Sequence, residues 1–328
     1  MEKFFIGIDV SNEFFDYCVI NQQNDVLLRG QKENTESGIE EFLKEINRFK
    51  GYSPWICMEH TGYYGYLLSY MFSRKELLFS LINPLELKRS MGLTRGKTDR
   101  IDAYRIAVYA LQNQFKLKPY KLPTEILGKL KILMKTRNLY VKTSTQLKNN
   151  LKGMAIAAKT IDLRDVIEQQ EEFIQDVSVK VKQLENEIIR LIKSCDELNE
   201  NYKKITTVIG VGPITAAQCI IETQNFTKFV DARKFTCHCG LAPFEYSSGT
   251  SIKGKTRTSQ LCNKPLKGTL YKAACSAIQH DPQLKAYYNR KLGEGKHKLS
   301  VLNAVAYKVV LRIFAVQKRE EPFVKLYA

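Results

Sequence analysis

The first part of the chain alternates short apolar runs with polar turns. The runs FFIGIDV, FFDYCVI and VLLRG predict three strands joined by short turns, and PWICME and LLFSLINP predict two more. Apolar positions at helical spacing predict helices over residues 35–49 and over YYGYLLSYMF, and a further helix is expected from Asp99 to Gln114. Three meandering strands followed by alternating helices and strands predict a mixed α/β sheet with helices on its faces.

The middle of the chain, from Leu122 to Leu198, has no strand pattern. Apolar residues there recur in alternating steps of three and four, as in a heptad seam interrupted at Gln170 and Cys195: Ile167, Ile174, Val177, Val181, Leu184, Ile188, Leu191 and Leu198. The partner of this seam is either the preceding basic helix, residues 129–152, in a long internal hairpin, or the same segment of a second protomer. We favour the second protomer and a spacer role.

The last part, from Tyr202, changes character again. ITTVIGVGPITAAQCIIE predicts helix, turn, helix, and Gly210 and Gly212 fit either a plain helical turn or a helix-hairpin-helix whose backbone N–H groups meet a phosphate. EYSSGTSIKGKTRTSQLCN is polar and basic, so it predicts either an ordinary surface loop or a phosphate-contacting loop that uses Lys253, Lys255 and Arg257. Two apolar helices close the chain.

These patterns divide the chain into three predicted parts. Residues 1–120 form an α/β domain whose order of elements is that of an RNase H-like (RuvC-like) fold. Residues 121–200 form an α-helical coiled-coil linker, and residues 201–328 form a mainly α-helical C-terminal domain. A chain of 328 residues is long enough for separate cores in such parts.

The charge narrows the choice of partner. Lys and Arg total 51 against 34 Asp and Glu, a formal net charge of +17, which favours a polyanion such as DNA or RNA. The N-terminus has no signal-peptide pattern, and no run of apolar residues reaches the length of a membrane span. Cysteines scattered through apolar patterns predict reduced thiols in a cytoplasmic protein. The Cys237-His238-Cys239 sequence lacks the ligand spacing of a zinc site.

Four carboxylates predict the chemistry. Asp9 and Glu59 each end an apolar run, whereas Asp99 and Asp102 open a helix at a spacing that places both on one face. Acids gathered from separate elements repel one another unless a cation compensates them, and oxygen ligands suit Mg²⁺ or Mn²⁺. Two such ions clamp the attacking and leaving oxygens of a phosphodiester, so the acids predict a metal-dependent phosphoryl-transfer site acting on nucleic acid.

The blocks IGIDVS, CMEHTGYY, GKTDRIDA, IGVGPITA, ARKFTCHCGLAP and EYSSGTSIKGKTRTS, in this order, resemble the DEDD transposases of bacterial insertion sequences, the group that includes the Piv and MooV invertases. The resemblance covers nearly the whole chain. It implies a recombinase with a RuvC-like domain, a coiled-coil linker and a C-terminal transposase domain.

The resemblance also implies specific partners and roles. The family's serine nucleophile lies in a Tyr-x-Ser-Gly block, which corresponds here to Ser248, with Ser247 as the neighbouring alternative. The resemblance implies a structured non-coding guide RNA that pairs with donor and target DNA. It also implies a homo-oligomer in which acids and serine of different protomers form a composite site, although the sequence itself leaves open whether they act in cis or in trans. Two usually basic positions of the family are Gln260 and Gly268 here, which leaves Arg257 and Lys267 as the preferred phosphate contacts.

Two other functions remain open from the sequence. The acids alone are equally consistent with a RuvC-like endonuclease that hydrolyses DNA without a covalent serine intermediate. A non-catalytic nucleic-acid-binding protein with a degenerate nuclease fold is disfavoured because all four acids are present.

Overall fold

The computed structural model of the chain describes residues 3–49, 54–60, 62–90, 99–248, 252–319 and 321–324. Within these ranges, it describes only the backbone of Asp99, Arg100, Tyr246, Ser248, Ile252, Lys253 and Lys255. The chain divides into two compact units, an N-terminal unit (Met1–Leu122) and a C-terminal unit (Pro123–Ala328). The finer division into three parts stays a prediction.

The N-terminal unit is built on a five-stranded sheet with the order β3-β2-β1-β4-β5. Its strands are β1 (Phe5–Val10), β2 (Phe14–Ile20), β3 (Val26–Glu33), β4 (Trp55–Glu59) and β5 (Phe79–Ile82). β1, β2 and β3 are antiparallel neighbours, whereas β4 is parallel to both β1 and β5. This mixed sheet is the RNase H-like topology, so the predicted fold class is confirmed.

Helices cover both faces of this sheet: α1 (Glu36–Ile46), α2 (Tyr66–Arg74), α3 (Pro84–Ser90) and α4 (Asp99–Gln112). α1 begins where predicted because the Thr35 hydroxyl accepts a hydrogen bond from the Gly38 N–H. α3 was not predicted, since it is short and has a single buried residue, Leu87.

Side chains alternate strictly between the two faces of the sheet. Ile6 and Ile8 of β1 belong to the core beneath α1 and α2, whereas Phe5 belongs to the core formed with α4. Asp9 follows Phe5 at even spacing, so it lies on the α4 face.

Gly7 sets the distance between α4 and the sheet. A Cβ atom built on Gly7 would lie 2.1 Å from the Ala103 carbonyl oxygen and 2.3 Å from the Ala107 nitrogen. Only a glycine allows the helix backbone to approach this closely. Beyond the far end of α4, the Gln114 amide contacts Lys3, just before β1, at 3.5 Å. α4 therefore runs antiparallel to β1, and its N-terminal end lies towards the carboxyl end of β1.

The C-terminal unit begins with two long helices, α5 (Glu125–Ala157) and α6 (Arg164–Lys193), followed by α7 (Asp196–Thr206). α5 and α6 pack as an antiparallel hairpin, joined by an Arg137–Glu185 ion pair of 2.6 Å and by a hydrogen bond from Gln170 to the Leu147 carbonyl. The predicted seam faces α5, which is the internal alternative. The seam runs over two helices, because α6 ends at Lys193 and α7 begins at Asp196, with Cys195 between them. Pairing between protomers stays a prediction.

The rest of this unit is mainly helical, as predicted, with one exception. Its elements are α8 (Pro213–Thr223), α9 (Ala232–His238), β6 (Pro243–Ser248), β7 (Ile252–Thr258), α10 (Lys264–His280), α11 (Pro282–Gly293) and α12 (Lys298–Lys318). The segment predicted as a surface loop is the antiparallel β6–β7 hairpin. The strands were missed because few apolar residues alternate along them.

One described helix, α12, is long and apolar enough to cross a membrane by length and composition. Lys308 and Arg312 interrupt its apolar positions, so α12 is not the uninterrupted apolar run that a membrane span was expected to need. The physical reason for its composition is packing, since Val305, Val309 and Ile313 are fully buried in the core of the C-terminal unit.

Candidate active site

Polar side chains form a row across the α4 face of the N-terminal sheet. Asp9 of β1 pairs with Asp16 of β2, and Asp16 pairs with Gln31 of β3. On the other side, Ile8 pairs with Met58 in parallel register, so Asp9 and Glu59 follow side by side at the carboxyl ends of β1 and β4. Neighbouring strands lie about 4.8 Å apart, so each step along this row is short. We call Asp16, Asp9 and Glu59 the carboxylate row, which Gln31 adjoins at its β3 end.

α4 brings the remaining acids towards this row. Asp102 directly precedes Ala103, whose carbonyl meets Gly7, and Gly7 is two residues before Asp9 on the same face. Asp99 is the first residue of α4, one turn before Asp102, but its side chain lies outside the described residues. The positive end of the helix dipole lies on this side of the sheet, which favours carboxylates there.

The acids of the row differ in their surroundings. Asp9, Glu59 and Asp102 are half-buried, and Asp102 Oδ1 accepts a hydrogen bond of 2.9 Å from Arg105 Nη1. Asp16 is 5% exposed. Its Oδ2 accepts a hydrogen bond of 3.0 Å from Gln31 Nε2, whereas its Oδ1 accepts none within the part of the chain that the structure describes.

Asp16 was not among the predicted site residues. Its signal was a single acid in the middle of FFDYCVI, a run otherwise predicted to be buried. A lone charge in such a strand needs a partner or a function.

The neighbouring thiol on this face does not contribute a charge. Cys57 precedes Glu59 by two residues on β4, and burial raises the pKa of Cys57 to about 12, which keeps the thiol neutral at physiological pH. Among the residues whose side chains are described, no three or more His, Cys, Asp or Glu are already gathered as ligands around one point. Asp99 is outside that set.

The predicted serine lies on the β6–β7 hairpin of the C-terminal unit. Ser248 is the last residue of β6 and pairs with Ile252, while Ser247 pairs with Lys253. Ser247 is exposed; the side chains of Ser248, Lys253 and Lys255 and all of residues 249–251 lie outside the described residues.

Two predicted cationic residues lie around the base of this hairpin. Lys267 Nζ is 3.3 Å from the Thr258 hydroxyl, at the end of β7, and lies 5.6 Å from the centre of the Tyr271 ring. Arg257 is exposed and lines a groove of about 800 Å³ that also contains Tyr271 and Lys308. The groove therefore combines cations with aromatic rings.

Gly210 and Gly212 occupy different environments. Gly210 has φ of +89°, and a Cβ atom there would lie 2.4 Å from the Ala273 carbonyl oxygen in α10. Close packing against α10 within the unit explains why position 210 is a glycine. Gly212 caps the N-terminus of α8 with an ordinary φ of −81°, is exposed, and has open space around a built Cβ. Of the two, Gly212 is the better placed to meet a phosphate.

We expect Gly210→Ala to destabilise the C-terminal unit by about 3 kcal/mol, because it adds left-handed backbone strain to a clash with backbone. Gly212→Ala is the matched control and should leave the free energy of unfolding within about 0.5 kcal/mol of the original. Urea unfolding followed by circular dichroism measures both. Equal midpoints for the two variants would contradict the packing of Gly210 against α10.

The histidine of the Cys-His-Cys sequence contacts neighbouring side chains of the same unit. His238 Nε2 lies 3.3 Å from Glu222 Oε2, and its ring stacks on Phe235. Burial raises the pKa of the Glu222 carboxyl, but the combined hydrogen bonds and charges of His238, Asn263 and Lys228 lower it overall. This pair accounts for the histidine without a metal ion.

Two family models match the chain. The first, described as Transposase and named for DEDD and IS110, matches residues 6–157, which include the carboxylate row and α4. The second, described as Transposase IS116/IS110/IS902 family, matches residues 202–289, which include the β6–β7 hairpin.

Similar proteins extend over the whole chain. The pilin gene-inverting proteins of Moraxella bovis and Moraxella lacunata are each 26% identical to it, over 99% of either chain. An insertion element IS110 protein of Streptomyces coelicolor is 32% identical over 34% of this chain and 27% of that protein. Among solved structures, T. thermophilus RuvC in complex with Holliday junction substrate aligns with 36% of this chain and 99% of its own, at 13% identity and a TM-score of 0.29.

Proposed function

Because this chain belongs to the IS116/IS110/IS902 family of DEDD transposases, and is therefore a DNA transposase or recombinase, we propose that it cleaves and rejoins DNA through a serine nucleophile and a carboxylate-held divalent cation. The observation that carries the proposal is the carboxylate row, which places Asp9 and Glu59 side by side below the N-terminal end of α4. We place this activity in the bacterial cytoplasm.

The residues present fit a divalent cation. Asp9, Glu59 and Asp102 offer carboxylate oxygens from three elements on one face, they remain partly open to solvent, and α4 adds Asp99. Oxygen donors of this kind select Mg²⁺ or Mn²⁺. When bound, the cation supplies neutralisation of the scissile phosphate and of the oxygen that leaves it. The chain's own contribution is to hold these acids at fixed spacing on a rigid sheet.

The proposed nucleophile is Ser248. Its Oγ forms a bond to the phosphorus and loses its proton, while the bond from phosphorus to one strand's sugar oxygen breaks and that oxygen leaves as a hydroxyl end. The phosphoserine link retains the energy of the phosphodiester. A sugar hydroxyl of another strand can therefore displace the serine and complete exchange without a high-energy cofactor.

Cations and the groove near the hairpin support DNA contact in the C-terminal unit. Arg257 and Lys267 flank the base of β7, and Lys253 and Lys255 lie on the same strand. We propose that these side chains, with the backbone N–H of the exposed Gly212, contact phosphates, and that the groove's tyrosines stack on bases. Such contacts hold DNA without reading its sequence.

Sequence choice then requires another component. We propose that a structured non-coding guide RNA pairs with donor and target DNA, in line with a net charge of +17, and that the protein acts as a homo-oligomer with acids and serine from different protomers. RNA of one defined sequence that co-purifies with the protein is the observation this part of the proposal requires.

The proposed reaction leaves a recognisable product. In Mg²⁺ and with the co-purifying guide RNA, a labelled DNA substrate carrying the element's end should yield a protein–DNA adduct that survives denaturing electrophoresis and disappears after protease digestion. EDTA should abolish it. If cleavage instead gives only free DNA ends with no attached protein, the enzyme hydrolyses DNA as a RuvC-like nuclease does, and the covalent serine step is wrong.

A further inference from the structure

We propose that Asp16 is an additional carboxylate of the cation site, with its Oδ1 directed to the same cation as Asp9. This inference rests on the proposed function of the carboxylate row. It adds a ligand from β2 to a site otherwise built from β1, β4 and α4.

The first argument is burial. Asp16 is 5% exposed, yet one of its carboxylate oxygens accepts no hydrogen bond among the described residues. An ionised carboxylate left unpaired in the interior is costly, and such groups are normally paired or bound to a metal. Among the described residues its hydrogen-bond partner is Gln31 Nε2, which is neutral and contacts Oδ2. A cation on the free side would compensate the charge.

The second argument is register. Asp16 pairs directly with Asp9, so the two carboxylates lie on adjacent antiparallel strands and on the same face of the sheet. Like charges placed opposite each other destabilise a sheet unless something compensates them. Arg105 Nη1 forms an ion pair with Asp102 Oδ1 on α4, at 2.9 Å. Gln31, by holding Oδ2, fixes the orientation in which Oδ1 stays available.

A purely structural role makes a different prediction from a ligand role. In Asp16→Asn, the amide oxygen can still accept the hydrogen bond from Gln31, while the buried charge is removed. If Asp16 only joins β2 to β3, this variant should bind cations as the original protein does. If Asp16 holds the cation, affinity should fall although the fold is intact.

The test is a Mn²⁺ titration of the full-length protein, with free Mn²⁺ measured by electron paramagnetic resonance. We expect Asp16→Asn to raise the Mn²⁺ dissociation constant about tenfold, and Asp9→Asn to raise it at least as much. Asp25→Asn, an exposed acid in the β2–β3 turn, is the matched control and should leave the constant unchanged. If affinity is unchanged in Asp16→Asn but weakened in Asp9→Asn, the proposed role of Asp16 is wrong and the cation site of the proposed function still stands.

A second measurement separates binding from folding. In EDTA, Asp16→Asn should unfold at the same temperature as the original protein or higher, because it loses an uncompensated charge; in Mn²⁺ its thermal stabilisation should be smaller. A large drop in the EDTA melting temperature would show that Asp16 is needed for folding and would overturn the proposal. If Asp9→Asn binds Mn²⁺ as the original does, the cation site of the proposed function is itself wrong.

Discussion

Replacing Ser248 with alanine is expected to lower the rate of DNA strand cleavage by about 10⁴-fold or more, with no protein–DNA adduct at any time point. The loss should be this large because the hydroxyl forms the covalent bond, and alanine leaves no group able to replace it. Binding of the DNA substrate should be nearly unchanged, since the phosphate contacts come from other residues. The measurements are single-turnover cleavage and a binding titration on the same substrate.

Ser247→Ala is the matched control for this variant. It removes a hydroxyl from the adjacent, exposed position of β6, without changing the pairing of the hairpin. It should retain cleavage within a few-fold. Adduct formation in Ser248→Ala would disprove the assignment, and loss of the adduct in Ser247→Ala alone would move the nucleophile to Ser247.

Replacing Asp9 with asparagine is expected to reduce cleavage by about 10³-fold in saturating Mg²⁺, because charge stabilisation by a bound metal contributes several kcal/mol to the transition state. The amide has nearly the same shape as the carboxylate, so β1 should keep its register and the protein should remain folded. Cleavage rates across a Mg²⁺ and Mn²⁺ series, with circular dichroism as the folding check, measure the effect.

Glu13→Gln provides the comparison for charge alone. Glu13 is exposed in the turn between β1 and β2, near the carboxyl end of β1, so the variant removes one negative charge from the same region. Its cleavage rate should stay within about threefold, as surface charges are screened by salt. A loss comparable to that of Asp9→Asn would mean that the general field, and not a cation held by Asp9, sets the rate.

The N-terminal fold could be predicted because local and tertiary requirements agree there. Each inner strand buries both faces, so runs such as FFIGIDV stand out, and Thr35 marks the start of α1 with a cap that the structure uses. The β6–β7 hairpin could not be predicted in the same way. Phe244, Glu245 and Ser247 are all exposed, so no alternation of apolar and polar residues indicates a strand there.

For the candidate site, the sequence identified the acids that end elements but not the one inside a strand. Asp9, Glu59 and Asp102 were visible because each breaks an apolar or helical pattern at a boundary. Asp16 was hidden among aromatic and aliphatic neighbours, and its meaning depends on cross-strand register, which is not encoded locally. The same holds for the seam of α6, whose choice of α5 as partner depends on how the chain folds back.

The close contact of Gly7 with α4 links the acids of the proposed cation site to the folding of the whole N-terminal unit. Since side chains alternate with a period of two, a slip of β1 by one residue would turn Asp9 away from α4 and present Ile8 in its place, and Gly7 would no longer meet the helix. Misregistered molecules would therefore be inactive and poorly packed at once. Packing therefore disfavours partially active misfolded forms. Such forms are hazardous in an enzyme that cuts its host's DNA.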